Sequence, residues 1–185
     1  MTYDEAISQL RKFKKVIVTG PQRSGTTIAG KMIAGDLSYR YVDEGFHSVG
    51  SNIGLLTNFL SDKEKIVVQC PILAFQAHNM PPGWAVVFMR RNVDDIHRSQ
   101  KRINWEWDEA EKKQYKKLFA EERPGVNIDF NRRISAIKYI FWDSYQKSRV
   151  KNKFEIAYES LSTHPMWLSK DQRKGFGAKQ TELKG

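Results

Sequence analysis

Residues 16–29 read VIVTGPQRSGTTIA. Val16, Ile17 and Val18 form an unbroken β-branched run, which suits a strand covered on both faces. Gly20 and Gly25 are separated by four residues, and Thr26 and Thr27 follow. The phosphate-binding P-loop pattern is Gly-x-x-x-x-Gly-Lys-Ser/Thr, so Thr26 stands where lysine belongs. The physics of the loop survives that change. Glycines let backbone N–H groups turn inward around an anion, and the start of the next helix adds partial positive charge. Ser24, Thr26 and Thr27 bring hydroxyl donors, Gln22 lies in the same loop, and Arg23 supplies a cation from inside it. The plain alternative is a ligand-free strand–turn–helix connection, because Gly, Ser and Thr also favour turns and N-caps. The missing lysine argues against ATP, whose β- and γ-phosphates that lysine contacts while a loop hydroxyl holds magnesium.

On either side of the loop, strand and helix patterns alternate. Ile7, Leu10 and Phe13 place a short amphipathic helix over residues 3–13. TTIAGKMIAG reads as a helix closed by Gly35, and YRYVDE as a second strand. Ile53, Leu56 and Leu60 predict a helix within 50–61. KIVVQC is a third, buried strand ending at Pro71, and WAVVFMR a fourth, announced by Pro81, Pro82 and Gly83. Residues 93–120 read as helical with a break near Asn104, and ERPGVN as a loop. Residues 129–149 form a long helix burying Phe130, Ile134, Ile137, Ile140, Phe141 and Tyr145. KFEIAY is a short fifth strand. The expected architecture is three-layer α/β: a mostly parallel five-stranded sheet with helices on both faces, P-loop NTPase-like. No linker is visible, so residues 1–185 are expected to be one domain.

Composition narrows the function classes. Hydrophobic residues at 40% and charged residues at 28% exclude wholesale disorder. No apolar run nears the roughly 18 residues that span a bilayer. The charged start, MTYDEAISQLRKFKK, has no signal-peptide pattern, and a cytoplasmic location is expected. Cys70 is the only cysteine, which excludes an internal disulfide framework and a Cys-rich zinc site; no metal is expected. The net charge of +10 attracts anions of every kind. The cations are mixed with acids, as in DEAEKKQYKKLFAEER, so they read as solvated helix faces, and no nucleic-acid partner is expected.

Two further segments join the loop. RSGTT after a short apolar strand resembles the 5′-phosphosulfate loop of the sulfotransferases that use 3′-phosphoadenylyl sulfate (PAPS). Their next motif is a strand ending in Arg-Asn-Pro, then Asp-Val, with a serine eight residues after the arginine. In VVFMRRNVDDIHRS, Arg91, Asn92, Asp95 and Ser99 fall in that register, with Val93 replacing the proline. QRKGFG is similar to the family's Arg-Lys-Gly loop at Arg173, Lys174 and Gly175, without the Gly-Asp-Trp that often follows. AYESL at 157–161 is similar to the family's Tyr-Glu-Asp-Leu stretch. The resemblance implies that the loop holds the 5′-phosphosulfate and that Arg91, Ser99 and the Arg173–Gly175 turn hold the 3′-phosphate. Taken singly, Arg91 and Ser99 are an ordinary strand-end arginine and helix-face serine, and Arg173–Lys174 an ordinary solvated turn.

Sulfuryl transfer needs an acceptor held in line and deprotonated, and charge neutralised on the leaving phosphate. Arg23 suits the last task. Family members use His or Glu as base. The His type carries Lys-Thr-His at the third strand's end, where this chain has Gln69, Cys70 and Pro71. The Glu type carries its base just after the second strand, which here points to Glu44, with Asp43 and His47 as alternatives and acceptor contacts. A solvated strand-end carboxylate is the bland reading of Glu44. His78 and His164 read as loop and turn residues and His97 as surface; Lys31, one helical turn after Thr27, either reaches the site or is solvated, the second being the preferred reading. Trp105 and Trp107 are candidates for acceptor binding. The resulting expectation is a PAPS-dependent sulfotransferase that yields adenosine 3′,5′-bisphosphate and sulfates a carbohydrate, lipid, peptide or small molecule. The rivals are a P-loop kinase or NTPase with an unusual loop, and a non-catalytic nucleotide- or nucleic-acid-binding protein.

Overall fold

The computed structural model describes residues 1–43, 53–62, 64–106 and 130–168. The β-branched runs become strands: β1 (Lys15–Thr19), β2 (Arg40–Val42), β3 (Ile66–Gln69), β4 (Trp84–Arg90) and β5 (Lys153–Ala157). Their order is β2-β3-β1-β4-β5, and every pairing is parallel. Val16 lies between Val67 and Ala85, and Thr19 beside Phe88. Alternation sends the strand residues to two cores. Val16, Val18, Val67, Val87 and Met89 meet α1 (Tyr3–Leu10) and α2 (Thr26–Leu37) on one face. Ile17, Val68, Val86 and Phe88 meet α3 (Ile53–Phe59) and Trp142 on the other. With helices on both faces, this is the α/β, P-loop NTPase-like arrangement. No helix among the described residues is long and apolar enough to cross a membrane.

Local chemistry sets the helix ends. Thr2 and Glu5 cap α1 reciprocally, each side chain taking the other's backbone N–H. α2 does not stop at Gly35, as expected, but two residues later. Ser38 takes the left-handed turn at φ +57, and Tyr39 N–H bonds back to the Ala34 carbonyl. Asn92 caps α4 (Val93–Arg102) by accepting from the Asp94 N–H. The break expected near Asn104 is present, with φ +49 at that residue. Residues 107–120 of the helix expected there, and the ERPGVN loop, lie outside the described residues.

The last long helix buries Ile134, as expected, but only part of the rest of the expected face. α5 (Phe130–Phe141) passes into a π-helical turn, Trp142–Gln146, before a final turn at Lys147–Arg149. Ile134 and Lys138 on α5 form one buried line at steps of four with Trp142 and Gln146, which the π turn carries. Ile140 is 63% exposed and Tyr145 37%, so two of the expected core residues face outward. Trp142 stacks on Phe88 with ring centroids 4.2 Å apart.

The π turn also carries an ion-pair network. Arg90 bonds both Asp143 and Glu155, and Lys147 bonds Glu155. Arg90 holds the Asp143 carboxyl below its ordinary range. Burial pushes Glu155 upward, but hydrogen bonds from Lys147 and Arg90 outweigh it, so Glu155 also titrates low. A carboxyl depressed in the folded state contributes stability above its unfolded pKa and loses it as pH falls through the folded one. Stability should therefore drop as pH falls below about 4, the ordinary carboxylate range. Melting curves against pH should show that acid drop flattened in Arg90→Met; an unchanged slope would remove the network from the acid limb.

Candidate phosphate-binding site

β1 is the central strand, with the chain leaving to β2 and β3 on one side and to β4 and β5 on the other. A crevice beyond the carboxyl ends of the strands at such a switch point is where parallel sheets bind ligands. The loop of residues 20–25 leaves β1 there. Gly20 has φ +140, and a Cβ on it would lie 3.0 Å from the Met89 carbonyl oxygen. Gly25, at φ +96, is the N-cap of α2, and a Cβ there would lie 2.4 Å from the Tyr158 ring. Between them Arg23, a non-glycine, sits at φ +69, the kind of strained backbone that only surrounding contacts maintain.

Those contacts come from the segment after β4. Arg91 Nη1 donates to the Arg23 carbonyl at 2.9 Å, and Arg23 Nε donates to Ser99 Oγ at 3.2 Å. The Arg91 guanidinium lies 3.9 Å over the Tyr158 ring. Its backbone is tied to Tyr139, whose hydroxyl accepts from the Arg91 N–H at 2.9 Å and donates to the Arg91 carbonyl at 3.0 Å. Burial pushes the Tyr139 phenol up to about 12, so it keeps that proton. The cap at Asn92 then turns α4 so that buried Ser99 faces the loop.

A cleft of about 340 Å³ opens above this cluster. Arg23, Lys31, Arg91 and Arg102 line it, and its lining holds no carboxylate among the described residues. Burial, then Arg102 and Arg91, pull the Arg23 guanidinium below its ordinary value. Such crowding of like charge is relieved by a bound anion. Ser24 Oγ and Arg91 Nε are buried donors with no hydrogen-bond partner among the described residues. Arg91 lines the cleft, whereas Ser24 is fully buried in the loop behind it. β3 ends here in Gln69, whose Nε2 donates to Thr26 Oγ1 at 3.0 Å. The position that holds lysine in a P-loop is thus a buried threonine bonded to a neutral amide. Thr27 is exposed and lines the cleft. No group of three or more His, Cys, Asp or Glu is placed to hold a metal among the described residues.

The structure brings Gly20, Gln22, Arg23, Ser24, Gly25, Thr26, Thr27, Arg91, Ser99 and Trp105 around this cleft or its loop. Asp43 follows β2 half-buried and does not line the cleft. Glu44, His47, Trp107, Arg173, Lys174 and Gly175 lie outside the described residues. Lys31, expected to be solvated, instead lines the cleft, its ammonium 5.7 Å over the Tyr41 ring. His97 is half-buried rather than on the surface. His164 bonds Asp36 at 3.2 Å, and its Nδ1 accepts the Met166 N–H at 3.1 Å. That anchors the short helix α6 (Pro165–Leu168), which places Met166 and Trp167 on the cleft wall. Sequence reasoning missed Gln69, Arg102, Lys138, Met166 and Trp167. Only Gln69 carried a local signal, as the polar residue closing an apolar strand.

The class defined by fold and site is a P-loop-like α/β protein with a cationic cleft at the loop after β1. Among solved structures, the chain is similar to a shikimate kinase from Acinetobacter baumannii in complex with shikimate, with a TM-score of 0.51 and 14% identity. The alignment covers 80% of this chain and 87% of that one. At that identity the likeness is one of fold. No protein-family model and no curated protein matches the chain.

Proposed function

We propose that the cleft binds a phosphosulfate donor and that the chain transfers a sulfuryl group from PAPS to an acceptor hydroxyl or amine. One observation carries the reading: Arg91 and Ser99, eight residues apart, meet Arg23 at the phosphate loop, at 2.9 and 3.2 Å. In this reading the loop amides, Ser24 and Thr27 hold the 5′-phosphosulfate. Arg23 offsets charge on the leaving phosphate, and Arg91 and Ser99 take the 3′-phosphate. Ser99 Oγ accepts from Arg23 and keeps its own proton to donate. PAPS supplies an activated sulfuryl group whose transfer needs no metal. Glu44 is proposed as the base and the Arg173–Gly175 segment as a further 3′-phosphate contact. Trp105 and Trp107 are proposed for the acceptor, and the cytoplasm as the location.

The fold similarity to a shikimate kinase favours a second reading, phosphoryl transfer by a P-loop kinase. Against it stand Thr26 at the lysine position and the amide of Gln69 at the end of β3, because such kinases use a lysine and a strand-end aspartate with magnesium.

Thermal stability separates the readings. Adenosine 3′,5′-bisphosphate at a hundred times its dissociation constant should add about 2.7 kcal/mol. ATP–magnesium and a short oligonucleotide should add much less. A rise with ATP–magnesium alone would transfer the assignment to the kinase. Glu44→Gln should bind the bisphosphate normally and lose transfer; persistent turnover would assign the base elsewhere.

A further inference from the structure

The phosphate loop has a lysine after all, delivered from another element. Lys138 on α5 is 0% exposed, and its Nζ donates to Gln22 Oε1 at 2.5 Å and to the Pro71 carbonyl at 3.4 Å. The same ammonium lies 5.5 Å over the Phe75 ring. Gln22 and Pro71 both line the cleft, so the charge stands directly behind its wall.

An ammonium only donates, which settles the orientation of the Gln22 amide. The carbonyl oxygen must face Lys138, and the Nε2 must face away from it. That Nε2 donates to no described residue and is not among the buried polar atoms left without partners, so it opens onto the cleft. Gln22 is otherwise 8% exposed, so it has little freedom to turn. Withdrawal of electron density toward the ammonium strengthens the two remaining N–H donors.

We propose that Lys138 and Gln22 act as a pair. Gln22 Nε2 is a direct donor to the oxygens of the phosphoryl or sulfuryl group seated in the loop. Lys138 is the positioning residue that fixes that donor and lends it positive charge. The pair replaces the P-loop lysine absent at position 26. This inference rests on the proposed anion-binding role of the cleft, and not on which group is transferred.

The test uses the full chain with inorganic pyrophosphate as probe, by titration calorimetry, beside melting temperature. Hydrogen bonds to charged groups contribute about 1.5–3 kcal/mol, a factor of roughly 10–100. Lys138→Met removes the hold on the amide oxygen and the charge behind it and should weaken pyrophosphate by about tenfold. Gln22→Glu keeps a partner for Lys138 but points a carboxylate oxygen into the cleft. It should weaken pyrophosphate by about a hundredfold or more, with no fall in melting temperature. Gln22→Met should lose about as much affinity as Lys138→Met, and the double variant no more than either, because the two act through one contact. A purely structural pair predicts the reverse: Gln22→Glu folded and binding as the wild type does, which would overturn the proposal. Wild-type protein that binds neither pyrophosphate nor the bisphosphate would overturn the anion-binding reading itself, and the pair with it.

Discussion

Arg91→Ala should abolish measurable binding of adenosine 3′,5′-bisphosphate. The side chain serves the site twice. It carries charge into the cleft, with its Nε buried and unpartnered among the described residues. It also braces the loop, since its Nη1 holds the carbonyl of Arg23 while that residue sits at φ +69. Two charge-assisted hydrogen bonds to a phosphate at about 1.5–3 kcal/mol each imply a loss of at least a hundredfold. Release of Arg23 from its strained conformation adds to that loss. Arg91→Lys keeps the charge but cannot hold the Arg23 carbonyl, stack on Tyr158 and reach a phosphate with one planar fork. It should therefore recover little affinity. Calorimetry with adenosine 5′-phosphate as control isolates the effect: that ligand lacks the 3′-phosphate and should suffer only from the loosened loop. Equal losses for both ligands would leave Arg91 a brace and nothing more.

How far the sequence reaches depends on how local the cause is. β1, β3 and β4 are legible because each is an apolar run too short for a helix and bounded by turn residues. The loop is legible because Gly20 and Gly25 are required by its own backbone angles. Arg91 and Ser99 are legible as a pair because a strand end, an Asn cap and two helical turns fix their separation. The same reasoning stopped short at Gly35, where the helix continues to Leu37 because Ser38 accepts the left-handed turn. On α5 it is right for Ile134 and wrong for Ile140: the buried line runs Ile134, Lys138, Trp142, and the π turn at Trp142–Gln146 carries it on to Gln146 while Tyr145 faces outward.

What could not be read is whatever two distant segments make together. Nothing near residue 138 says that its ammonium will lie under Gln22, 116 positions away in sequence. The spacing of Asp36 and His164 gives no sign of their contact, nor that it steadies Met166 and Trp167 on the cleft wall. Lys31 looked solvated because its charge is visible in the sequence while the Tyr41 ring beneath it is not. Buried polar groups at a site break the hydrophobic pattern, and pattern is what sequence reasoning uses.

Gly25→Ala should damage folding and binding together. At φ +96 an L side chain is strained whatever space surrounds it, and here there is no space: the added Cβ would lie 2.4 and 2.8 Å from two carbons of the Tyr158 ring. The ring cannot easily retreat. Arg91 lies 3.9 Å from its centroid, and Trp167 meets it edge-on at 4.9 Å. The loop must move instead, which turns the amides at the start of α2 away from the cleft. Left-handed strain of about 1–2 kcal/mol and overpacking of about 1–3 kcal/mol add to roughly 2–5 kcal/mol of lost stability, readable by urea denaturation. Bisphosphate affinity should fall with it, because the helix-start amides no longer converge. The double variant Gly25→Ala, Tyr158→Ala separates the two causes. Deleting the ring makes room for the methyl group but leaves φ unchanged, so stability should recover by the overpacking share alone, relative to Tyr158→Ala. Full recovery would make Tyr158 the whole reason for glycine at this position. No recovery would assign the requirement to the backbone turn itself.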